Sequence, residues 1–151
     1  MTSQRFTLEA SYARTLLPLA RMWRATADRA LDGIGVSAAT GWALVQVGRL
    51  GNDVRQTDLA RELDVTGASL VRLLDQMAAA ELIERHRDPV DARVSRVRLT
   101  TRGQALVSTI EAAFASLRHD MLEGESDADL ATALAVAERL EVRFQQRRRG
   151  A

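Results

Sequence analysis

The sequence predicts a mainly α fold with one small β-hairpin, and three observations carry that expectation. Alanine and leucine dominate while aromatic residues make up only 4% of the 151 residues, a composition that favours helix over sheet. Apolar residues recur at spacings of three and four over most of the chain, which stripes one side of a helix. The exception is "ERHRDPVDARVSRVRLT", Glu84 to Thr100, where an acidic turn divides two basic, alternating runs. A chain of this length suits one domain with a real core.

The first helix is read from Leu8 to about Leu31, with Tyr12, Leu16, Leu19, Ala20, Trp23, Ala27 and Leu31 as its stripe. Pro18 removes one backbone hydrogen bond and crowds the carbonyl of Arg14, so a kink or a restart is expected there. "DGIGVS" supplies breakers, and Ala38 to Leu50 reads as a short apolar helix ending near Gly51-Asn52. Two short helices follow. "QTDLARELDV" turns Leu59, Ala60 and Leu63 inward, and "TGASLVRLLDQMAAAEL" starts at Thr66, a natural N-cap, and buries Leu70, Val71, Leu74 and Met77. Only Asp64-Val65 separates them, and the second carries small residues and an arginine on its outer side, the pattern of a helix-turn-helix.

Ile83 through Arg87 and Arg93 through Leu99 are then expected as paired strands, with Val94, Val97 and Leu99 as apolar positions and "DPVDA" as their connection. From Thr101 the helical period returns through Leu106, Ile110, Ala113, Phe114, Leu117 and Met121. After the break "EGESDAD", Ser126 with Asp129 forms a capping-box pattern for a last helix striped by Leu130, Leu134, Ala137, Leu140 and Phe144.

Composition excludes several functions. The chain has no cysteine, hence no disulfide, zinc-thiolate site, thiol nucleophile or thiol redox sensor. No apolar run approaches the roughly 18 to 20 residues of a membrane span, and "MTSQRFTLEASYAR" lacks a secretory signal's apolar segment, so a cytoplasmic location without membrane association is expected. No recognised catalytic motif is present, so an enzyme is not expected. The net charge is only +1, so binding to nucleic acid has to use a local patch. All 21 basic residues are arginine. That is read first as a genomic preference, although arginine also offers the planar fork that grips phosphates and guanine edges.

Helix, helix, helix-turn-helix, hairpin, long helix, long helix: in that order the residues resemble the MarR family of winged-helix transcription regulators along nearly the whole chain. The sharpest parts are "LARELDVTGASLVRLLDQM", similar to the family's helix-turn-helix, and "LIERHRDPVDARVSRVRLTTRG", similar to its wing, with the D-x-R element at Asp91 to Arg93 and the closing L-T-x-x-G. "LARMWRATADRAL" and the Thr-x-Trp at Thr40 to Trp42 resemble the SlyA-like branch. The resemblance implies a winged helix-turn-helix lobe, residues about 38–100, plus N- and C-terminal dimerisation helices, residues about 8–32 and about 102–147, in a single MarR-type domain. It further implies a homodimer on a pseudo-palindromic operator in double-stranded DNA, most often a repressor, with the lobes about 34 to 36 Å apart or a multiple of that.

The outer side of the second motif helix presents Thr66, Gly67, Ala68, Ser69, Arg72, Asp75 and Gln76. Small residues at its start let the backbone approach base edges, while Ser69 and Arg72 offer hydrogen bonds to bases or phosphates. The plain alternative is a solvated helix face. In the hairpin the resemblance places Arg93 at the wing tip, entering the minor groove, with Asp91 holding its guanidinium. Arg96 and Arg98 share one strand face, with Val97 on the other, and are expected to contact phosphates together with Arg85 and Arg87. The plain alternative is an edge strand kept soluble by charge. Two positions depart from the family pattern: Ala92, where a second arginine is common, and Glu81, where glycine is common. A left-handed backbone at Glu81 would cost about 1 to 2 kcal/mol.

Trp42 and Trp23 are candidates to line a pocket for a small aromatic or phenolic effector, with Arg14, Arg21 or Arg24 near a ligand carboxylate; ordinary core packing is the competing reading. No metal or cofactor is expected. His86 and His119 are read as structural, and Glu123, Glu125, Asp127 and Asp129 as acidic residues favoured at a helix start. Arg147 to Arg149 form a basic tail that is either frayed or in nonspecific contact with DNA. A winged-helix protein-interaction module without DNA binding stays open as a second reading.

Overall fold

In the computed structural model, residues 3–149 are described; they form six helices and one three-stranded sheet. In order these are α1 (Ser3–Gly33), α2 (Ala38–Arg49), β1 (Val54–Arg55), α3 (Gln56–Glu62), α4 (Gly67–Ala79), β2 (Ile83–Arg87), β3 (Ser95–Leu99), α5 (Thr101–Leu122) and α6 (Asp127–Arg149). The chain divides after Leu117 into two compact units. The expected mainly α architecture with a small hairpin wing is therefore the observed one.

Within the first unit, α2 is the hub. Ala43, Leu44, Val45 and Val47 are all buried on it, as a helix apolar on nearly every side requires. Around it gather Leu31 of α1, Leu59 of α3, Leu70, Leu74 and Met77 of α4, Val97 and Leu99 of β3, and Ile110 and Phe114 of α5. Gly41 marks the closest approach of α1, since a Cβ there would lie 2.6 Å from a methyl of Leu31. Ser37 caps α2 by accepting the backbone N–H of Thr40 at 3.2 Å.

All four helices before the hairpin end in the same closure. The amides of Val36, Asn52, Val65 and Leu82 bond back to the carbonyls of Leu31, Val47, Ala60 and Met77, five residues earlier. This six-to-one bond satisfies a carbonyl that the helix end would leave unpaired, and it requires a left-handed residue just before it. Those residues are Gly35, Gly51, Asp64 and Glu81, at φ of 75°, 96°, 52° and 58°. Two glycines adopt the conformation freely, whereas Glu81 carries a Cβ against its own carbonyl. We predict that Glu81→Gly raises stability by about 1 kcal/mol, read as a higher denaturant midpoint at unchanged slope.

Several details differ from the sequence reading. Helix α1 runs unbroken through Pro18 and does not restart; one missing hydrogen bond in a long helix leaves the flanking turns to propagate across it. Of its expected stripe only Ala27 and Leu31 are buried, while Tyr12, Leu16, Leu19, Ala20 and Trp23 are exposed. Val71 is 38% exposed instead of buried, because Leu70, Leu74 and Met77 already fill the inward arc of α4. Strand β3 starts at Ser95, not Arg93, because Asp88 N–H donates to the Val94 carbonyl and Val94 N–H to that of Asp91, closing a loop of their own.

The sheet order is β1-β3-β2, all antiparallel. β3 is central, with Ile83 opposite Leu99 and His86 opposite Arg96 on one side, and Arg55 opposite Arg96 on the other. Thr100 then joins sheet to helix. Its hydroxyl donates to the Glu81 carbonyl at 2.7 Å and accepts the Gly103 amide at 3.0 Å, so it caps α5 while tying it to the end of α4.

The second unit is helical. Ser126 Oγ accepts the Asp129 amide at 3.1 Å and donates to the Asp129 carboxylate at 2.6 Å, the expected cap at the start of α6. Leu134, Val142 and Phe144 of α6 are exposed, and α6 remains helical through Arg149.

Candidate nucleic-acid interface

Helices α3 and α4 form the helix-turn-helix, with Asp64 and Val65 in its turn. Thr66 is the N-cap of α4, at φ −70° and ψ 152°, and its hydroxyl accepts the Ser69 amide at 3.2 Å. Leu70, Leu74 and Met77 bury one side, which leaves Thr66, Gly67, Ala68, Ser69, Arg72, Asp75 and Gln76 exposed on the other. Gly67 has nothing within 4 Å of where a Cβ would stand, so packing does not account for its size. Arg72 makes no hydrogen bond or ion pair among the described residues.

The hairpin is organised by Asp88, 8% exposed. One carboxylate oxygen accepts the amides of Val90, at 2.9 Å, and Asp91, at 3.2 Å. The other accepts Arg96 Nη1 at 2.8 Å. These amides, and after them Arg96, hold the Asp88 carboxyl below its ordinary value of 3.8. Asp53, in the loop before β1, is lowered too, chiefly by its hydrogen bond from Arg96. Arg96 is correspondingly raised by Asp53 and Asp88. A depressed carboxyl stabilises the fold above its unfolded pKa and loses that contribution as pH falls through the folded one. The contribution of Asp53 and Asp88 to hairpin amide protection is therefore expected to be lost as pH falls below the ordinary carboxylate range, as hydrogen exchange will show.

The acidic turn thus sets the tip, but with partners different from those expected. Asp91 Oδ1 accepts the backbone N–H of Arg93 at 3.0 Å; it shapes the loop and does not hold the guanidinium. The arginines divide into two groups. Arg85 is paired with Asp75 of α4 at 2.7 Å, Arg98 lies 3.9 Å from Glu84, and Arg96 is engaged by Asp88 and Asp53. Arg87 and Arg93 are exposed and have no hydrogen-bonding or ionic side-chain partner among the described residues. Arg96, read from its alternation as an outward contact, is turned instead onto the base of the hairpin. Arg55 was not singled out from sequence. It is exposed on β1, opposite Arg96, in a strand of two residues that carries no periodic signal.

The Trp42 indole N–H donates to Asp28 of α1 at 2.7 Å. The Arg24 guanidinium carbon lies 4.3 Å from the Trp42 ring centroid, and the Phe114 ring is at 5.1 Å, tilted by 30°. Arg24 is itself paired with Asp28 at 3.1 Å. Trp42 therefore sits in a cluster with Asp28, Arg24 and Phe114, while Trp23 is 36% exposed on α1. His86 Nε2 lies 3.2 Å from Asp53 Oδ1. Among the described residues no group of side chains has the arrangement of a metal site, the acidic stretch around Ser126 included. No helix among them is long and apolar enough to cross a membrane.

The sequence pattern of the MarR family matches residues 34–94, which hold the helix-turn-helix and the hairpin tip. The fold is similar to the crystal structure of the transcriptional regulator PA3341, at 31% identity over 89% of this chain and 98% of that one, with a TM-score of 0.81. It is also similar to the MarR family transcription regulator SP03579, at 25% identity, 99% and 98% coverage and a TM-score of 0.81. The Staphylococcus aureus protein MepR, solved as a complex with DNA, shares the fold at 22% identity, 88% and 97% coverage and a TM-score of 0.70. With an exposed-faced helix-turn-helix, an arginine-bearing hairpin and likeness over nearly the whole length, the chain belongs to the MarR family of transcriptional regulators.

Proposed function

We propose that the protein is a homodimer that binds a pseudo-palindromic DNA operator sequence-specifically and represses transcription until a small aromatic ligand releases it. The observation that carries the reading is the set of uncommitted arginines on one lobe: Arg72 on the exposed side of α4, Arg87 and Arg93 on the hairpin, and Arg55 on β1. On a chain of net charge +1, these supply a local positive site where the global field is weak. In this reading α4 enters the major groove, with Thr66, Gly67, Ala68, Ser69, Arg72 and Gln76 facing base edges. Arg93 enters the minor groove, Arg87 meets phosphate, and Arg85 and Arg98 meet it after giving up weak exposed ion pairs. MepR, of the same fold, is seen on DNA.

Dimerisation has its own support. Each unit leaves apolar side chains uncovered, Leu8, Tyr12, Leu16, Leu19 and Trp23 on α1 and Leu134, Val142 and Phe144 on α6. A second copy covers such stripes by symmetry. The ligand reading rests on the Trp42 cluster, where a flat anion that competes with Asp28 for Arg24 would find an indole face.

Selection from a random duplex pool, followed by affinity measured against salt, tests the proposal. Binding that falls steeply with salt, and release of the duplex by an aromatic acid, are expected. Recovery of no duplex even in dilute salt rejects it in favour of a protein-interaction module. Arg72→Ala and Arg93→Ala are each expected to weaken binding by about 10- to 100-fold and to lower the salt slope by about one if the lost contact is to phosphate. Arg72→Ala should also relax base preference at one position of the recovered site. Unchanged affinity in either variant removes that residue from the interface.

A further inference from the structure

The proposed DNA contacts give Arg96 and Asp53 no part. Arg96 lies on the central strand and is 20% exposed in its side chain, against 50% for Arg98 two residues on. Two of the three guanidinium nitrogens donate hydrogen bonds, and Nε makes only an ion-pair contact. Nη1 donates to Asp88 at 2.8 Å, Nη2 donates to the Asp53 carbonyl at 2.5 Å, and Nε lies 3.1 Å from the Asp53 carboxylate. A guanidinium held by Asp88 on one side and by Asp53 on the other, and mostly covered, is poorly placed for a bidentate phosphate contact.

What the fork joins is informative. Asp88 opens the hairpin loop and holds the amides of Val90 and Asp91, and Asp91 in turn holds the amide of Arg93. Asp53 belongs to the loop that leaves α2, and its neighbour Asn52 accepts the Leu99 amide of β3 at 2.7 Å. A continuous run of hydrogen bonds therefore leads from the end of α2, through Asp53, Arg96 and Asp88, to the backbone that carries Arg93.

We propose that Asp53, Arg96 and Asp88 form a clasp that fixes the hairpin tip for duplex entry, with Arg96 as a positioning residue and not a phosphate contact. The proposal builds on the DNA-binding reading and makes a demand that simple electrostatics opposes. Removing a negative charge beside a DNA-binding surface ordinarily strengthens binding, because it reduces repulsion from phosphates. If Asp53 works through Arg96, neutralising it weakens binding instead.

The experiment compares Asp53→Asn, Asp88→Asn and Arg96→Ala with the wild type in two measurements. The first is hydrogen exchange of the free protein at the amides of Val90, Asp91, Arg93 and Val94, with Leu44 and Leu74 as core references. The second is affinity, as a function of salt, for a labelled duplex recovered from a random pool by the wild-type protein. Hairpin amides are expected to exchange about tenfold faster in each variant while the core references stay unchanged. Affinity is expected to fall by about tenfold in all three with the salt slope unaltered. Tighter binding by Asp53→Asn, a slope reduced by about one in Arg96→Ala, or unchanged hairpin exchange each overturns the clasp. If the wild type recovers no duplex, the DNA-binding reading fails by itself, and the exchange measurement still decides whether the clasp holds the tip.

Discussion

A chain carrying both Leu16→Glu and Leu19→Glu is expected to remain folded, to sediment as a monomer, and to lose about 10²- to 10⁴-fold in duplex affinity. The two leucines are 39% and 50% exposed on α1 and lie outside the buried core, so a charge on either can reach solvent in the single chain. Glutamate is a good helix former, so α1 should persist. A partner copy would instead have to bury two carboxylates in an apolar seam, which the desolvation of charge forbids. The affinity loss follows from the proposed dimer, in which each lobe reaches one half-site and the link between two lobes makes the second contact intramolecular. That gain vanishes when the link does. Sedimentation equilibrium and titration of duplexes bearing one or two half-sites measure the two consequences separately. A variant that stays dimeric places the pairing surface elsewhere, and a monomer that retains full affinity removes the need for pairing.

What the sequence disclosed, and what it withheld, follows the range of the interactions. Thr66 as N-cap, the Ser126–Asp129 cap, the helix-turn-helix and the hairpin are local patterns, each settled within a few residues by capping chemistry or periodicity. The buried face of α4 was legible for the same reason, apart from Val71 at the edge of an arc, whereas α2 read only as a short apolar helix. Strand β1 was not legible: two residues have no period, and Val54 and Arg55 pair with Val97 and Arg96 of a segment distant in the chain. The same distance hid the task of Arg96. Alternation correctly set it opposite to Val97, but Asp53, which decides where its side chain goes, arrives from a loop before α3. Trp42 shows the point again, because its partner Asp28 comes from a different helix. Glu81 is the converse case. The family pattern marks the position for glycine, and its φ of 58° shows the backbone there is left-handed whatever the side chain.

Gly103→Ala is the other substitution with a large expected effect, about 3 kcal/mol of lost stability, at the upper end for an added methyl group. The position closes the L-T-x-x-G element, and the structure shows why a side chain is excluded. A Cβ on Gly103 would stand 2.0 Å from the carbonyl oxygen of Leu82, a backbone atom with no rotamer to retreat into. That carbonyl is fixed on both flanks. It accepts the Thr100 amide at 3.1 Å, while Leu82 N–H closes α4 on Met77 at 2.9 Å, and the next residue pairs Ile83 with Leu99 in the sheet. Relief therefore requires α5 to lift away from the end of α4 or the first pairing of the hairpin to open. Either movement breaks the Thr100 bonds to Glu81 and Gly103 as well. A denaturant midpoint lowered at unchanged slope, and a Tm about 10 °C lower, are expected. Gly67→Ala is the control, since nothing lies within 4 Å of its Cβ position, and its stability should be unchanged within about 0.5 kcal/mol. Because the strain is applied where β2 begins, Gly103→Ala should also loosen the hairpin and weaken duplex binding under conditions where the variant is still folded. Wild-type stability in that variant would mean that the junction between Leu82 and Gly103 yields, and with it the rigid base on which Arg93 is carried.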